Sequence, residues 1–335
     1  MNKLHIGILG LVLFFASCRN ESGTVVETPK EEPTKPITVP AFSKDSAYAF
    51  VAKQVSFGPR VPGSNGHTTT RKWLVQKLKS YGASVMEQSF KAKTATIGEV
   101  RSTNIIASFN PTYARRVVLA AHWDTRYTAD QDDTRVNEPI DGADDGGSGV
   151  GVLLEIARLI QSNPIAIGVD IVLFDAEDQG DSNGEIETWC LGAQYWAQNL
   201  HVKGYRAEYG ILLDMVGAKG AAFSKEDVSS VFPPAKANRI HRKYDKVWEM
   251  AQAMGHANLF INQKGKPLTD DHLFVNMYTD IPMIDIVYRS FSSEGGFGPH
   301  WHTHDDTMEV IDPQVLGKVG QVVTAYLYHS SKSPS

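Results

Sequence analysis

Apolar stretches of two kinds alternate along the chain from about residue 66 onward. Short, nearly continuous apolar runs, which are typical of strands buried on both faces, lie at 103–109, 116–121, 169–174, 209–213 and 282–288. Longer stretches with the spacing of amphipathic helices lie between them, at 66–80, 147–161, 193–200 and 238–254. This alternation predicts an α/β fold with a mixed, mostly parallel central sheet that is covered by helices on both faces.

Polar clusters follow the predicted strands at their carboxyl ends. His122 comes directly after the run that ends at residue 121, and Asp214 comes directly after the run that ends at residue 213. Glu177 and Asp178 lie just beyond the run that ends at residue 174. An acidic, glycine-rich turn at 141–149 and a histidine-rich segment at 300–307 add to this set. Because ligand sites of such sheets collect beyond the carboxyl ends of the strands, we expect these side chains to meet.

The gathered carboxylates indicate a metal site, because like charges brought together repel one another unless a cation or protons compensate them. The clusters mix imidazole and carboxylate groups and contain no thiolate. Such a set is typical of a catalytic zinc that keeps one coordination position open, whereas an all-oxygen set would favour calcium.

Two other kinds of site fit the sequence less well. In the acidic loop at 129–141, Arg135 occupies the position where an EF-hand calcium loop requires glycine, which leaves this loop as a candidate for a structural ion only. The segment 146–150 lacks the final glycine of the G-x-S-x-G motif, which argues against a serine hydrolase.

Composition narrows the class of protein further. The 335 residues are 42% hydrophobic, so the chain is long and apolar enough to bury a full-sized core. The formal net charge of −5 argues against nucleic acid as a partner. Only two cysteines, Cys18 and Cys190, are present, and Cys18 lies in the N-terminal segment. Cys190 is therefore expected to be a small core residue without a disulfide partner.

The first forty residues differ in pattern from the rest. Lys3, an apolar run at 6–15 and small residues after it are typical of an export signal at 1–17. Because Cys18 follows directly, the segment resembles the bacterial lipoprotein signal, which implies a lipidated Cys18 that anchors the protein on the periplasmic side of the inner or outer membrane. An ordinary secretory signal is the alternative. The Pro-rich composition of 18–40 predicts a disordered tether, followed by a single zinc-dependent catalytic domain at 41–335.

Several motifs in fixed order resemble the zinc aminopeptidase and glutaminyl cyclase family. They are the segment 57–64, His122-x-Asp124, Gly142-Ala143-Asp144-Asp145-Gly146, Glu177-Asp178, Leu213-Asp214 and His302-Thr303. The resemblance extends from about residue 57 to residue 307 and implies an α/β/α sandwich. It also implies Asp145, Asp178 and His302 as zinc ligands and Glu177 as the general base and acid.

Within this family, the glutaminyl cyclase branch looks closer. Leu-Thr-Asp-Asp-His at 268–272 and Trp301 directly before the ligand histidine are features of that branch, and segments 175–180 and 213–218 look like its bacterial, lipoprotein-anchored members. The resemblance implies an enzyme with one zinc per chain that converts the N-terminal Gln of peptides and exported proteins to pyroglutamate and releases ammonia. It adds Asp214 and Asp270 as catalytic carboxylates. Trp301 and Phe297 are expected to wall the substrate pocket, and the protein is expected to be a monomer.

A two-zinc aminopeptidase is the alternative within the same family. In that enzyme His122 and Asp214 would hold a second zinc, whereas the single-zinc interpretation expects His122 to be directed away from the metal. A non-catalytic binding domain is disfavoured, because every ligand and the base are present. Three further acids are expected to have structural roles and not to bind metal: Asp124 orients His122, and Asp305 and Asp306 cap the segment that follows them.

Overall fold

The computed structural model describes residues 37–289 and 296–332. The strands are β1 Ser84–Thr94, β2 Gly98–Phe109, β3 Arg116–His122, β4 Gly168–Phe174, β5 Gly210–Asp214, β6 Phe223–Glu226, β7 Phe260–Gly265 and β8 Met283–Val287. The helices are α1 Lys44–Val55, α2 Asn65–Ser80, α3 Gly147–Ser162, α4 Leu191–Gln198, α5 Pro234–Ala253, α6 Asp271–Tyr278 and α7 Pro313–Ser330. The predicted signal at 1–17, Cys18 and most of the predicted tether lie outside the described residues.

Six strands form the central sheet in the order β1-β2-β4-β3-β5-β8. The neighbours β4, β3, β5 and β8 run parallel, whereas β2 is antiparallel to both β1 and β4. β6 and β7 form a separate parallel pair. The mixed, mostly parallel sheet is therefore confirmed, and the carboxyl ends of its four parallel strands lie at one edge.

Helices cover both faces of the sheet, as the strand at the centre shows. Along β3, Val117 and Leu119 pack into the larger core with side chains of α1, α2, α3, α5 and α7. The alternate residues Val118 and Ala120 pack into a smaller core with side chains of α4 and α6. Because successive side chains of a strand point to opposite faces, a strand buried on both sides reads as the continuous apolar run seen in the sequence.

The strand β1 was not predicted, and its position in the sheet explains why. β1 is an edge strand that pairs along its whole length with β2, from Ser84 opposite Ser108 to Thr94 opposite Gly98. Most of its side chains are exposed or half-buried, and Lys91 and Lys93 stand among the exposed ones. An edge strand that faces solvent needs no apolar run, and its charged residues discourage pairing with another chain.

From Ile37 onward the chain forms one compact unit. Cys190 is fully buried within it, as predicted. Of the helices formed by the residues described, none has both the length and the apolar character needed to cross a membrane.

Candidate active site

The three predicted metal ligands come together at the carboxyl edge of the sheet. Asp145 lies in the turn that precedes α3, Asp178 lies in the loop after β4, and His302 lies in the segment between β8 and α7. One ligand atom from each lies within 4.8 Å of the others. His302 Nε2 is 2.9 Å from Asp178 Oδ1 and 3.8 Å from Asp145 Oδ2. All three side chains are buried.

The chemistry of this group fits zinc. Buried oxygens on both carboxylates, Asp145 Oδ2 and Asp178 Oδ2, have no hydrogen-bond partner in the described part of the chain. Burial and the neighbouring Asp145 raise the pKa of Asp178 to about 6, which is the response of a carboxylate that lacks a compensating cation. Two carboxylates and one imidazole with free lone pairs are the ligand set of a catalytic zinc.

His302 is oriented for binding by Asp130, a residue that the sequence did not indicate. Its Nδ1 atom lies 2.9 Å from Asp130 Oδ1, which directs Nε2 towards the ligand group. Asp130 is itself fixed by two hydrogen bonds from Arg126, at 2.9 and 2.7 Å, and by one from Ser182. Although burial acts in the opposite direction, the contacts with His302 and Arg126 hold the pKa of Asp130 well below its usual range. Metal-binding histidines are commonly oriented by a carboxylate in this way.

Backbone contacts shape the turn that carries Asp145. The side chain of Asp306 accepts hydrogen bonds from the amides of Asp144 and Asp145, at 2.7 and 3.1 Å. This differs from the expected helix cap, since Asp306 stabilises a turn far away in the sequence. The guanidinium of Arg60, which is fully buried, donates to the carbonyl oxygens of Asp141 and Gly142 and supports the same turn.

Asp124 holds the loop that carries the base and a ligand. Its carboxylate accepts hydrogen bonds from the backbone amides of Glu177 and Asp178, at 3.0 and 3.3 Å, and from the side chain of Gln179. The distance between Asp124 Oδ1 and His122 Nδ1 is 3.7 Å. Asp124 therefore lies beside His122, as expected, and its hydrogen bonds also hold the 177–179 loop.

Glu177 lies beside the ligand group and has one oxygen engaged. Its Oε1 accepts a hydrogen bond from the thiol of Cys190 at 3.2 Å. Burial, together with nearby carboxylates such as Asp178, raises the pKa of Glu177 well above its usual value. Glu177 also lines the cavity next to the ligands.

The two further predicted carboxylates also reach the site. Asp214, at the end of β5, has a pKa raised to about 7, chiefly by burial. Asp270 begins α6 as its N-cap and accepts a hydrogen bond from the amide of Asp271. Burial and the charge of the nearby Asp270 raise the pKa of Asp285, a residue on β8 that the sequence did not indicate, well above its usual value. Two carboxyl groups so close require a proton between them.

A cavity of about 430 Å³ opens onto these groups. Its lining includes the three ligands, Glu177, Asp214, Asp270, Gln131, Ile186, Trp189, Phe297 and Trp301. Trp301 stacks on the ring of His302 with 3.8 Å between ring centroids, and Phe297 packs against Trp301 at 4.8 Å. Trp189 stacks on His302 at 5.9 Å. The cavity thus has aromatic walls around an acidic floor, and Trp189 is a wall that the sequence did not indicate.

His122 faces the carboxylates, contrary to the single-zinc expectation. Its Nε2 lies 3.0 Å from Asp145 Oδ1 and 3.1 Å from Asp214 Oδ1. His122, Asp145 and Asp214 form a second group of three potential ligands that shares Asp145 with the first. The loop at 129–141 contributes to none of the potential ligand groups found among the described residues.

Comparison with known proteins adds the family to this geometry. The model of peptidase family M28 matches residues 104–327, which include most of the site. The chain belongs to this family.

Relatives of this M28 chain include both cyclases and peptidases. A glutaminyl cyclase structure from Porphyromonas gingivalis is 50% identical and has a TM-score of 0.81, with 86% of this chain and 99% of that chain covered. A Zn-dependent exopeptidase structure from Parabacteroides distasonis is 44% identical and has a TM-score of 0.82, with 87% and 99% covered. A glutaminyl-peptide cyclotransferase from Drosophila melanogaster is 26% identical, with 80% of this chain and 76% of that protein covered.

Proposed function

We propose that this M28 chain is a glutaminyl-peptide cyclotransferase that converts the N-terminal Gln of peptides to pyroglutamate. The observation that carries the proposal is the cavity of about 430 Å³, in which aromatic side chains enclose the ligand group together with Glu177 and Asp270. Its size suits one amino-acid side chain with its α-amine, and its aromatic walls limit the access of water. The similarity to glutaminyl cyclases supports the same conclusion.

Asp145, Asp178 and His302 would hold one zinc ion per chain. Bound there, zinc would supply a Lewis acid that polarises the side-chain carbonyl of the substrate Gln and favours the negative charge that develops on its oxygen. The remaining work falls to side chains of this protein.

Glu177 is the proton acceptor and donor in this proposal. As the α-amine nitrogen bonds to the side-chain carboxamide carbon (Cδ), the Glu177 carboxylate takes a proton from that nitrogen and passes it to the side-chain nitrogen, which leaves as ammonia when its bond to Cδ breaks. No water is consumed. Asp214 and Asp270 flank the reacting groups, and Trp301 and Phe297 hold the Gln side chain.

Product analysis distinguishes this function from peptide hydrolysis. The purified protein, loaded with zinc, is incubated with a Gln-initiated peptide and with a chromogenic leucine amide. We expect ammonia and a pyroglutamyl peptide from the first substrate and no leucine from the second. Release of leucine without ammonia from the Gln-peptide would exclude the cyclase.

A two-metal aminopeptidase is the second candidate, because His122, Asp145 and Asp214 form a complete second group of potential ligands. In this case the two ions would share Asp145. Metal content separates the candidates: one zinc per chain, unchanged in His122→Gln, supports the cyclase, whereas two zinc ions per chain, reduced to one in His122→Gln, support the aminopeptidase.

We further propose that the protein is exported, with a signal at 1–17, a lipidated Cys18 and a catalytic domain at 41–335 that acts as a monomer on exported proteins. The sequence pattern around Cys18 supports export and lipid anchoring. Labelled fatty acid should be incorporated into the unaltered protein and not into Cys18→Ala. Equal labelling of both, or none of either, would contradict the anchor.

A further inference from the structure

A second buried polar group lies behind the carboxylates of the site. It consists of Glu226, His272 and Asp285, each about 1% exposed. His272 is the third residue of the Asp-Asp-His segment at 270–272, of which the proposed function uses only Asp270. A fully buried imidazole between two carboxylates is costly unless it is well bonded, so its contacts indicate what it does.

Glu226 anchors His272 from one side. Its Oε2 lies 2.7 Å from His272 Nε2. The other oxygen accepts a hydrogen bond from the amide of Leu268 at 2.8 Å, and Arg289 Nη1 is 3.8 Å away from it. The hydroxyl of Tyr244 lies 3.4 Å from Oε2. Because β6 and its neighbours hold this carboxylate so closely, the ring of His272 has a fixed orientation.

His272 turns its other nitrogen towards the site. Nδ1 lies 3.7 Å from Asp285 Oδ2, and neither oxygen of Asp285 accepts a hydrogen bond from a donor among the described residues. Asp285 in turn lies near Asp270, and burial and the charge of Asp270 raise the pKa of Asp285. Burial acts to lower the pKa of His272, but Glu226 and Asp270 raise it above the usual value, which favours an imidazolium. A positive charge here stabilises the negative charge that Asp270 and Asp285 share.

We propose that His272 is a positioning residue for the cyclisation: held by Glu226, it orients Asp285, which holds the carboxyl group of Asp270 at the cavity wall. This inference rests on the proposed function and extends it to residues that do not touch the substrate. Asp270 and Glu177 each place an oxygen within 4.8 Å of the other, so a shift of Asp270 reaches the proton-transferring group. A misplacement of about 1 Å at a reacting centre can cost on the order of 100-fold in rate.

The test compares His272→Gln in two backgrounds. Gln retains a donor for Glu226 but has no charge and no second nitrogen that faces Asp285. We expect kcat for a Gln-peptide to fall by about tenfold to 100-fold with little change in KM. In the Asp270→Asn background, the same substitution should cause no further loss of kcat, because the group that it positions is already disabled. His241→Gln is the matched control, since His241 lies 3.5 Å from Asp227 in another histidine–carboxylate pair and should leave kcat unchanged.

Three results would overturn the inference. The first is an equal loss of kcat in both backgrounds, which would assign His272 to stability alone. The second is an unchanged kcat in folded His272→Gln or in folded Glu226→Gln, which breaks the same link from the other side. The third is a failure of both variants to fold. Failure of the proposed function is seen separately, because the unaltered protein would then release no ammonia from Gln-peptides.

Discussion

Left-handed backbone at single residues directs the side chains of the site. Ala176, Cys190, Met215 and His302 are non-glycine residues with φ between 45° and 57°, and each belongs to the site or adjoins one of its residues. Such residues cost about 1–3 kcal/mol each and persist where surrounding structure enforces them. The turn at Ala176 lets two successive acids diverge in role: Glu177 meets Cys190, whereas Asp178 meets His302.

Replacement of the general base gives the first prediction. Glu177→Gln keeps the size of the side chain but removes the proton acceptor, so kcat for cyclisation should fall by about 100-fold to 10,000-fold while zinc content stays unchanged. Glu187→Gln, an exposed glutamate in the same region, is the control and should retain full activity. Steady-state kinetics with metal analysis measures both. A Glu177→Gln enzyme with normal kcat would remove this residue from the mechanism.

Loss of the carboxylate behind His302 should weaken metal binding. Asp130→Asn removes the charge that orients His302 Nδ1, and we expect zinc affinity to fall by about 10-fold to 100-fold. Competition with a chromogenic chelator measures the affinity. Asp133→Asn, an exposed neighbour, should bind zinc as the unaltered protein does. Equal affinities for Asp130→Asn and Asp133→Asn would contradict the orienting role.

The sequence allowed prediction of the site residues that stand in local motifs. Asp145, Asp178 and His302 follow glycine-rich turns or strand ends, and the structure brings them together. Asp130 and Asp285 could not be found in the same way. Their roles come from the neighbouring His302 and Asp270. Asp130 stands in an acidic loop and Asp285 in an apolar strand, and neither setting carries a local signal of its partner.

At the scale of elements, the site depends on the close approach of α3 to the ends of β3 and β5. The helix begins at Gly147, with Gly146 as its N-cap between it and Asp145, and its first turn also contains Gly149. A β-carbon at Gly149 would clash with the carbonyl oxygen of Leu213 and contact Ala121. Only glycine therefore lets α3 lie against both strands, which brings Asp145 close to Asp214.

Gly149→Ala should push these elements apart. We expect a loss of stability of about 1–3 kcal/mol from overpacking, together with weaker zinc binding, because the clash is with backbone that cannot turn aside. Gly317→Ala in α7 is the comparison, because its added β-carbon would lie 2.9 Å from Lys44 Cβ, a milder clash than the one with the carbonyl oxygen of Leu213. Urea unfolding and chelator competition measure the two effects. A smaller loss for Gly149→Ala than for Gly317→Ala would contradict this account.

The helices and strands that could be predicted from the sequence are those with a buried face. The buried strands β2, β3, β4, β5 and β8 and four helices were predicted because burial or an amphipathic face leaves an apolar pattern. β1 leaves no such pattern, since its order comes from backbone pairing with β2 at the sheet edge. α6 is a short helix that begins with acidic residues of the site. Its sequence therefore lacks the apolar spacing from which a helix is predicted.

At the scale of the whole molecule, one charged side chain in the larger core works against stability. Lys243 of α5 is only 8% exposed, and its ammonium lies 5.2 Å from the ring centroid of Tyr209. Burial lowers the pKa of Lys243 from 10.5 to about 8, with help from nearby cations such as Lys246. The folded state therefore binds this proton more weakly than the unfolded state, and the stability of the unaltered protein should rise between pH 8 and pH 10.5.

Lys243→Met should stabilise the fold near neutral pH. The expected gain is up to about 2 kcal/mol after allowance for solvent screening, and it should shrink as the pH rises from 8 to 10.5, where the unaltered lysine also loses its charge. Urea unfolding at the two ends of this range measures the gain. Lys72→Met, at an exposed position of α2, is the control and should change little. A gain that does not vary with pH would come from apolar burial instead.

Two buried arginines fix the two ends of the loop at 130–142, which borders the cavity. Arg126 holds the loop at Asp130, and Arg60 holds it again through the carbonyl oxygens of Asp141 and Gly142. Residues 133–139 between these anchor points are exposed. Residues 133–139 can therefore be replaced by segments of other length and charge to change the approach to the cavity. The metal ligands should not move, because both ends of the loop stay fixed.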